Sequence, residues 1–189
     1  MGEWALKSSV RQSRGRLGQP RFFDPDRCAQ EPGHPEDPQG KMMTKTRTGE
    51  AWMPADEYGR SLPKFTVNLL VRDVTKALPF YRDVLQAAVR YSDGDFAALE
   101  IGGTQFMLHA DHSYDRHPLS ARVKGVAVRG IGAEIRVMGI DPDAAEARAR
   151  KFGAEIVQET RDFPHGWRDV MLADADGYVW AVGLPIQKL

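Results

Sequence analysis

Histidine and cysteine are the side chains best suited to binding metals or attacking substrates, and this chain has five histidines and one cysteine. A lone Cys28 can neither form a disulfide within the chain nor build a thiolate zinc cluster. His109 falls in an apolar, strand-like run. The other four histidines stand in polar or turn-rich stretches and are predicted to be surface residues: His34, His112, His117 and His165. The sequence contains no glycine-rich phosphate loop, nucleophile elbow or recognisable pair of catalytic carboxylates.

One tryptophan stands where a loop could close over a ligand. Trp167 directly follows the turn-forming run Phe163-Pro-His-Gly166. This position is equally compatible with contact to a bound molecule and with simple packing at the rim of a cleft. Trp167 is therefore kept as a candidate binding residue.

The first set of elements has the order β-α-β-β-β. A strand is predicted over 65–71, and Asp73 can cap a helix predicted over 74–85. Pro79 lies inside that helix and predicts a kink or a tight first turn, because it removes an interior hydrogen bond. Three strands follow at Ala88–Ser92, Phe96–Ile101 and Thr104–His109, with a tight turn at Gly102-Gly103 between the last two.

The second half repeats this order, which indicates a duplicated unit. Thr66 stands seven residues before the capping Asp73, and Glu134 stands seven before the capping Asp141. A strand is predicted over 133–137. The helix that starts at Asp141-Pro142 should run over 143–152 and end at Gly153, and strands follow at 155–158, 168–172 and 178–182.

Residues 1–60 are rich in proline, glycine and charge, and they are predicted to form a disordered N-terminal tail or extension. Met42, Met43 and Met53 are candidate native starts under the hypothesis that the upstream residues are an extension. Residues 61–189 are predicted to form a single domain, with one module over 63–112, a link over 113–130 and a second module over 131–185.

Three runs of residues resemble a known family. Asn68-Leu-Leu-Val-Arg-Asp73 and Phe80-Tyr-Arg-Asp-Val-Leu85 resemble the first module of the vicinal oxygen chelate superfamily, and Asp174-Ala-Asp-Gly-Tyr-Val-Trp180 resembles the turn and final strand of its second module. This superfamily includes glyoxalase I, extradiol dioxygenases, and fosfomycin- and bleomycin-resistance proteins. The resemblance implies an α+β fold in which two βαβββ modules form a curved, eight-stranded mixed sheet. It places the helices on the convex face and a ligand cleft on the concave face.

The resemblance also identifies where metal-dependent members hold their ion. Those positions correspond here to Thr66, Met107, Glu134 and Ala181. Only Glu134 is a competent ligand, whereas a catalytic site generally needs three protein ligands. A shift of one rung along the strands would bring in Asn68 and His109, so His109 and Glu134 are the only candidate metal pair. No cofactor is expected, and the chain looks closest to the metal-free, bleomycin-resistance-like members.

The cleft would then be lined by side chains that point away from the helices, while Phe106 and Trp180 should face the helices. A cationic ligand could neutralise Glu134. The alternative is a Glu134–Arg136 ion pair at a solvated strand edge. The candidate ligand-binding residues are Thr66, Asn68, Met107, His109, Glu134, Arg136 and Trp167.

Composition narrows the partners. Acidic and basic residues number 26 each, which disfavours nucleic acid and permits a homodimer. No apolar run approaches the roughly 20 residues of a membrane span, so a cytoplasmic location is expected. The predicted function is metal-free binding of a small molecule. The alternatives are a divalent-metal-dependent lyase, isomerase or dioxygenase with substituted ligands, and an interaction module with a vestigial cleft.

Overall fold

The computed structural model describes residues 52–114 and 117–186. Most of the predicted tail, including Met42 and Met43, lies outside these residues. The strands are β1 (Val67–Val71), β2 (Ala88–Ser92), β3 (Phe96–Ile101), β4 (Thr104–Ala110), β5 (Glu134–Met138), β6 (Glu155–Asp162), β7 (Trp167–Ala173) and β8 (Val179–Pro185). The helices are α1 (Ala55–Ser61), α2 (Val74–Pro79), α3 (Ser120–Val123) and α4 (Pro142–Phe152), with a π-helix at Phe80–Val84 and a 3₁₀ turn at Asp111–Tyr114.

The strands form two four-stranded mixed sheets with the same topology. The first sheet has the order β1-β4-β3-β2 and the second has the order β5-β8-β7-β6. The two parallel pairs also share one register, since Val67 lies opposite Phe106 in the first sheet and Ile135 lies opposite Trp180 in the second. The α+β class and the duplicated order of elements are confirmed. The eight predicted strands are all present, and their hydrogen bonding divides them into two sheets of four strands.

One core lies between the helices and the inner face of each sheet. Phe106 and Trp180 belong to it, with ring centroids 5.5 Å apart, and Trp180 is 1% exposed. Tyr81 packs edge-on against Trp180 at 5.6 Å. The prediction that Phe106 and Trp180 face the helices is therefore confirmed. By alternation along β4 and β8, Met107 and Ala181 point to the opposite faces.

Pro79 divides the first long helix into two geometries. It has no N–H to continue the α-helical ladder, so α2 ends there and a π-helix follows over Phe80–Val84. The N–H of Leu85 donates to the carbonyl of Phe80 at 3.2 Å, five residues back. The wide turn places Phe80, Tyr81 and Val84 in the core. The predicted irregularity at Pro79 is present as a change of helix type.

The loop before β8 ties the two modules together. Asp174 is buried, and its carboxylate accepts from the backbone N–H groups of Asp176 and Tyr178, both at 2.9 Å, and from the hydroxyl of Tyr81. Asp176 accepts from Arg72 of the first module at 2.8 Å. The motif that resembles the family's final turn thus folds on itself and fastens β8 to the first module.

The N-terminal boundary differs from the prediction. Helix α1 begins at Ala55 within the expected tail, and the aromatic rings of Trp52 and Tyr58 pack on the first sheet. Local composition could not reveal this helix, because its few apolar side chains are stabilised by strands far along the chain. No helix in the described ranges is long and apolar enough to cross a bilayer.

Candidate functional site

The seven predicted site residues lie on two separate sheets. Thr66, Asn68, Met107 and His109 belong to the first sheet or its edge, and Glu134, Arg136 and Trp167 belong to the second. We call the sides of the two sheets that point away from the helices the first-sheet face and the second-sheet face. The contacts recorded within 52–114 and 117–186 link Asn68 with His109, and Glu134 with Arg136. They do not link the two groups to each other.

Asn68 and His109 form a polar pair on the first-sheet face. Nδ1 of His109 lies 2.7 Å from Oδ1 of Asn68, while Nδ2 of Asn68 donates to the hydroxyl of Tyr114 at 2.5 Å. Because the amide oxygen can only accept, it holds the imidazole with a proton on Nδ1. Burial raises the pKa of the Tyr114 hydroxyl. The pair therefore presents an oriented imidazole beside the rings of Phe96 and Tyr114, each 4.8 Å from His109.

Thr66 and Met107 have structural surroundings. Thr66 precedes β1, and its hydroxyl donates to the carbonyl of Gln105 at 3.0 Å, which holds the start of β1 against β4. Met107 is buried in a small second cluster with Phe96 and Ala98, and the side chains packed against this cluster include Tyr58 and Leu62 from α1 and the residue after it. Segment 52–62 therefore covers part of the first-sheet face.

Arg136 bridges two carboxylates on the second-sheet face. Its guanidinium donates to Glu134 at 2.6 Å and to Asp169 at 2.6 Å. The reach across the sheet is possible because β8 contributes only Ala181 and Gly183 between the flanking strands β5 and β7. A Cβ on Gly183 would stand 2.6 Å from the Cβ of Asp169, so only glycine fits this position. The alternative prediction, a Glu134–Arg136 ion pair, is the arrangement present.

The three side chains Glu134, Arg136 and Asp169 together carry more negative than positive charge. The hydrogen bonds that the guanidinium donates to Glu134 and to Asp169 raise the pKa of Arg136, so the guanidinium stays charged. Two carboxylates share this one cation, which leaves a formal charge of −1. Asp169 is 1% exposed, and its Oδ1 is buried without a hydrogen-bond partner in the part of the chain that the structure describes. A buried carboxylate oxygen without a donor is costly, and a cationic group that reached it would remove that cost.

Asp169 is a candidate site residue that sequence reasoning missed. It stands two positions after Trp167 in β7, with the apolar Val170 and Leu172 on the opposite face. This alternation was the available signal, since it places Asp169 on the second-sheet face, where a buried carboxylate requires a partner.

Trp167 is the first residue of β7 and directly follows the turn at residues 163–166, as the sequence indicated. The residues before it form a tight hairpin turn, in which the N–H of Phe163 donates to the carbonyl of Trp167 at 2.7 Å. Alternation puts the half-buried Trp167 on the second-sheet face, about 7 Å along the strand from Asp169.

The residues present do not fit a divalent metal held by three protein ligands. At the family's ligand positions, the side chains of Thr66, Met107 and Ala181 are poor metal ligands. Glu134 is paired with Arg136, and Nδ1 of His109 faces Asn68 on the other sheet. Among the residues that the structure describes, no three histidine, cysteine or acidic side chains converge on one point.

Comparison with known proteins agrees with this architecture. The sequence profile described as Glyoxalase/Bleomycin resistance protein/Dioxygenase superfamily matches residues 65–182, from just before β1 to within β8. An uncharacterized protein of Mycobacterium bovis is 29% identical over 136 residues, which cover 67% of this chain and 86% of that protein. A second, from Mycobacterium tuberculosis, is 29% identical and covers 67% of this chain and 77% of its own length.

Solved structures show the same fold. A protein of unknown function from Agrobacterium tumefaciens superposes with a TM-score of 0.55 at 22% identity, covering 67% of this chain and 96% of that one. A glyoxalase-related enzyme from Fulvimarina pelagi gives 0.51 at 16% identity, covering 63% and 85%. At these identities the likeness concerns the fold alone. The profile match over both modules establishes that the chain belongs to the glyoxalase/bleomycin resistance protein/dioxygenase superfamily.

Proposed function

We propose that this protein binds a small cationic molecule on the second-sheet face, without a metal ion. The observation that carries the proposal is the buried Oδ1 of Asp169, for which the described residues supply no hydrogen-bond donor. It belongs to a group of three charged side chains with an excess negative charge. A ligand ammonium or guanidinium group supplies both missing features, because it is a charged donor.

Glu134 and Asp169 would have different roles in binding the cation. Glu134 is partly exposed, with 38% of its side chain accessible, and it can meet an arriving cation at the surface. Asp169 is deeper and would bind the cation after a small displacement of the groups that now enclose its Oδ1. Arg136 holds both acids in place and prevents the ligand from having to neutralise two charges.

The surroundings favour a cation with an apolar body. A shallow depression of about 330 Å³ begins at Glu134 and is lined by apolar groups that include Val128, Ile131 and Val179. Ile131 is 83% exposed. Trp167 lies at the other end of this face, two positions from Asp169 along β7, where its indole can contact a cation bound at Asp169. Apolar walls with a few oriented polar groups are typical of small-molecule sites.

The test uses two probes that differ in one group. Phenethylamine is cationic at neutral pH, and 2-phenylethanol replaces its ammonium with a neutral hydroxyl. Each probe is titrated into the full chain, and binding is measured by calorimetry and by the shift of the thermal unfolding midpoint. Only the amine should bind. Asp169→Asn removes the excess charge with little change in shape and should weaken amine binding at least ten-fold. Glu159→Gln changes a carboxylate on exposed β6 and should leave it unchanged.

Two results would contradict the proposal. Equal binding of both probes would mean that charge is not recognised. Loss of amine binding after treatment with a chelator, restored by a divalent metal, would support the metal-dependent enzyme instead.

A further inference from the structure

The first-sheet face carries aromatic side chains that the chain itself partly covers. We call residues 52–62 the N-terminal cover. Trp52 stacks on Tyr91 with ring planes 13° apart and centroids 5.4 Å apart. Tyr58 meets Phe96 edge-on at 5.3 Å, and the two rings of the cover lie 5.7 Å from each other. The cover thus places two aromatic rings on an aromatic surface.

Within the described residues, the recorded interactions between the cover and the sheet are contacts of apolar and aromatic side chains. Helix α1 has only seven residues and none of them is buried, so it has little stability of its own. In the described part of the chain, its hydrogen bonds are internal: the N–H of Tyr58 donates to the carbonyl of Pro54, and Arg60 pairs with Asp56. Attachment to the sheet therefore depends on the ring contacts and on Leu62.

The covered arrangement also has a cost. The hydroxyl of Tyr58 is buried and has no hydrogen-bond partner among residues 52–114 and 117–186, and burial raises the pKa of this group. Moving the cover away from the sheet returns that hydroxyl to water and regains its hydrogen bonds. The favourable ring contacts are therefore partly offset, and a competing molecule needs only modest affinity to displace the cover.

The surface beneath is suited to a ring with a polar edge. Tyr91 offers a face for parallel stacking, Phe96 offers an edge contact, and Met107 offers a polarisable sulfur atom. The imidazole of His109 lies 4.8 Å from the Phe96 ring and is oriented by Asn68. Polar groups that can bind a heteroatom thus stand at one end of the aromatic surface.

We infer that the N-terminal cover is displaceable, and that the first-sheet face beneath it binds a planar aromatic molecule with a polar edge directed at the Asn68–His109 pair. Such a molecule replaces the rings of Trp52 and Tyr58 with its own. This site is separate from the second-sheet face, so either proposal can fail without the other.

The test uses the full chain with indole and p-cresol, the side-chain analogues of tryptophan and tyrosine. Binding is followed by the amide NMR shifts of Asn68, Phe96 and Met107. The double variant Trp52→Ala, Tyr58→Ala should bind both probes at least ten-fold more tightly than the native chain. Cyclohexanol, which is neither aromatic nor planar, should not shift these amides in either protein.

A second variant should weaken binding of the probes, and it changes no residue of the proposed site. Gly59 lies inside α1 with nothing within 4 Å of the position of an added Cβ. Gly59→Ala should stabilise the helical form of the cover and weaken indole binding about four-fold. Lys64→Gln, which changes an exposed side chain just beyond the cover, is the control and should leave indole binding unchanged.

Three results would overturn the inference. These are equal affinities for indole in the native chain and the double variant, shifts centred on another part of the chain, and tighter binding in Gly59→Ala. The core cluster beneath the helices contains no residue of the cover, so the double variant should still unfold cooperatively. Thermal unfolding followed by circular dichroism checks this.

Discussion

At the scale of single residues, Arg136 contacts two carboxylates that differ in burial. The Glu134 side chain is 38% exposed, and exposed ion pairs contribute about 0–1 kcal/mol. The Asp169 side chain is 1% exposed, so without Arg136 a charged group would remain in the interior with no cation. The Arg136 guanidinium therefore contributes little to stability through Glu134 and more through Asp169.

This asymmetry predicts unequal costs of substitution. Arg136→Met should lower the free energy of unfolding by about 2–3 kcal/mol, less than for a fully buried pair because Arg136 itself is partly exposed. Glu134→Gln should lower it by less than about 1 kcal/mol. Urea denaturation of both variants at pH 7 measures the difference, and equal losses would show that Asp169 does not depend on Arg136.

The candidate site was predictable from sequence where it depends on strand alternation. Asn68 and His109 meet because both point away from the helices on neighbouring strands, and Glu134 meets Arg136 two positions along β5. Asp169 was not predictable in the same way, since its contact with Arg136 crosses β8 and requires the small side chains of that strand.

At the scale of elements, local signals set the boundaries that were predicted well. Strands β2 and β3 have the predicted bounds, and α4 follows the Asp141-Pro142 start and ends at Gly153, whose φ of 83° is left-handed. Strand β6 is longer than predicted and continues to Asp162, because cross-strand pairing with β7 extends a polar sequence. Helix α1 depends on contacts far along the chain, which no local pattern reveals.

The start of α4 allows the contribution of one local signal, the capping residue Asp141, to be measured. The carboxylate of Asp141 accepts from the N–H of Asp143 at 3.0 Å and from that of Ala144 at 3.4 Å. Asp141→Ala should therefore lower the free energy of unfolding by about 1 kcal/mol, whereas Asp141→Asn should change it little because asparagine also caps helices. Chemical denaturation distinguishes the two. A similar loss in both variants would mean that charge, and not capping, is what Asp141 contributes.

At the scale of the whole molecule, the two modules are joined by a shared core and by buried polar contacts. Tyr81 of the first module donates its hydroxyl to Asp174 of the second, and the Tyr178 hydroxyl donates to the carbonyl of Leu70 at 3.0 Å. Arg129 reaches back from the link to Asp111 and Leu70. These contacts fix how the modules pack and hence how the strands that carry the two faces are placed.

The Tyr81–Asp174 contact should give the junction a dependence on alkaline pH. Burial, followed by the negative charge of Asp174, raises the pKa of Tyr81 well above its ordinary value of 10.0. A raised folded-state pKa contributes stability below the unfolded value, and that stability is lost as the pH rises above about 10. Phenylalanine at this position cannot ionise, so it has no such loss.

Tyr81→Phe should therefore be less stable than the native chain at pH 7, by about 1.5–3 kcal/mol, because the buried carboxylate of Asp174 loses a donor. The difference should narrow at pH 11, where only the native chain is penalised. Tyr178→Phe, which loses a bond to a neutral carbonyl, should cost about 1 kcal/mol at pH 7. Urea titrations at both pH values measure these quantities. An unchanged gap between Tyr81→Phe and the native chain from pH 7 to pH 11 would mean that the Tyr81 hydroxyl ionises as freely in the folded protein as in the unfolded one.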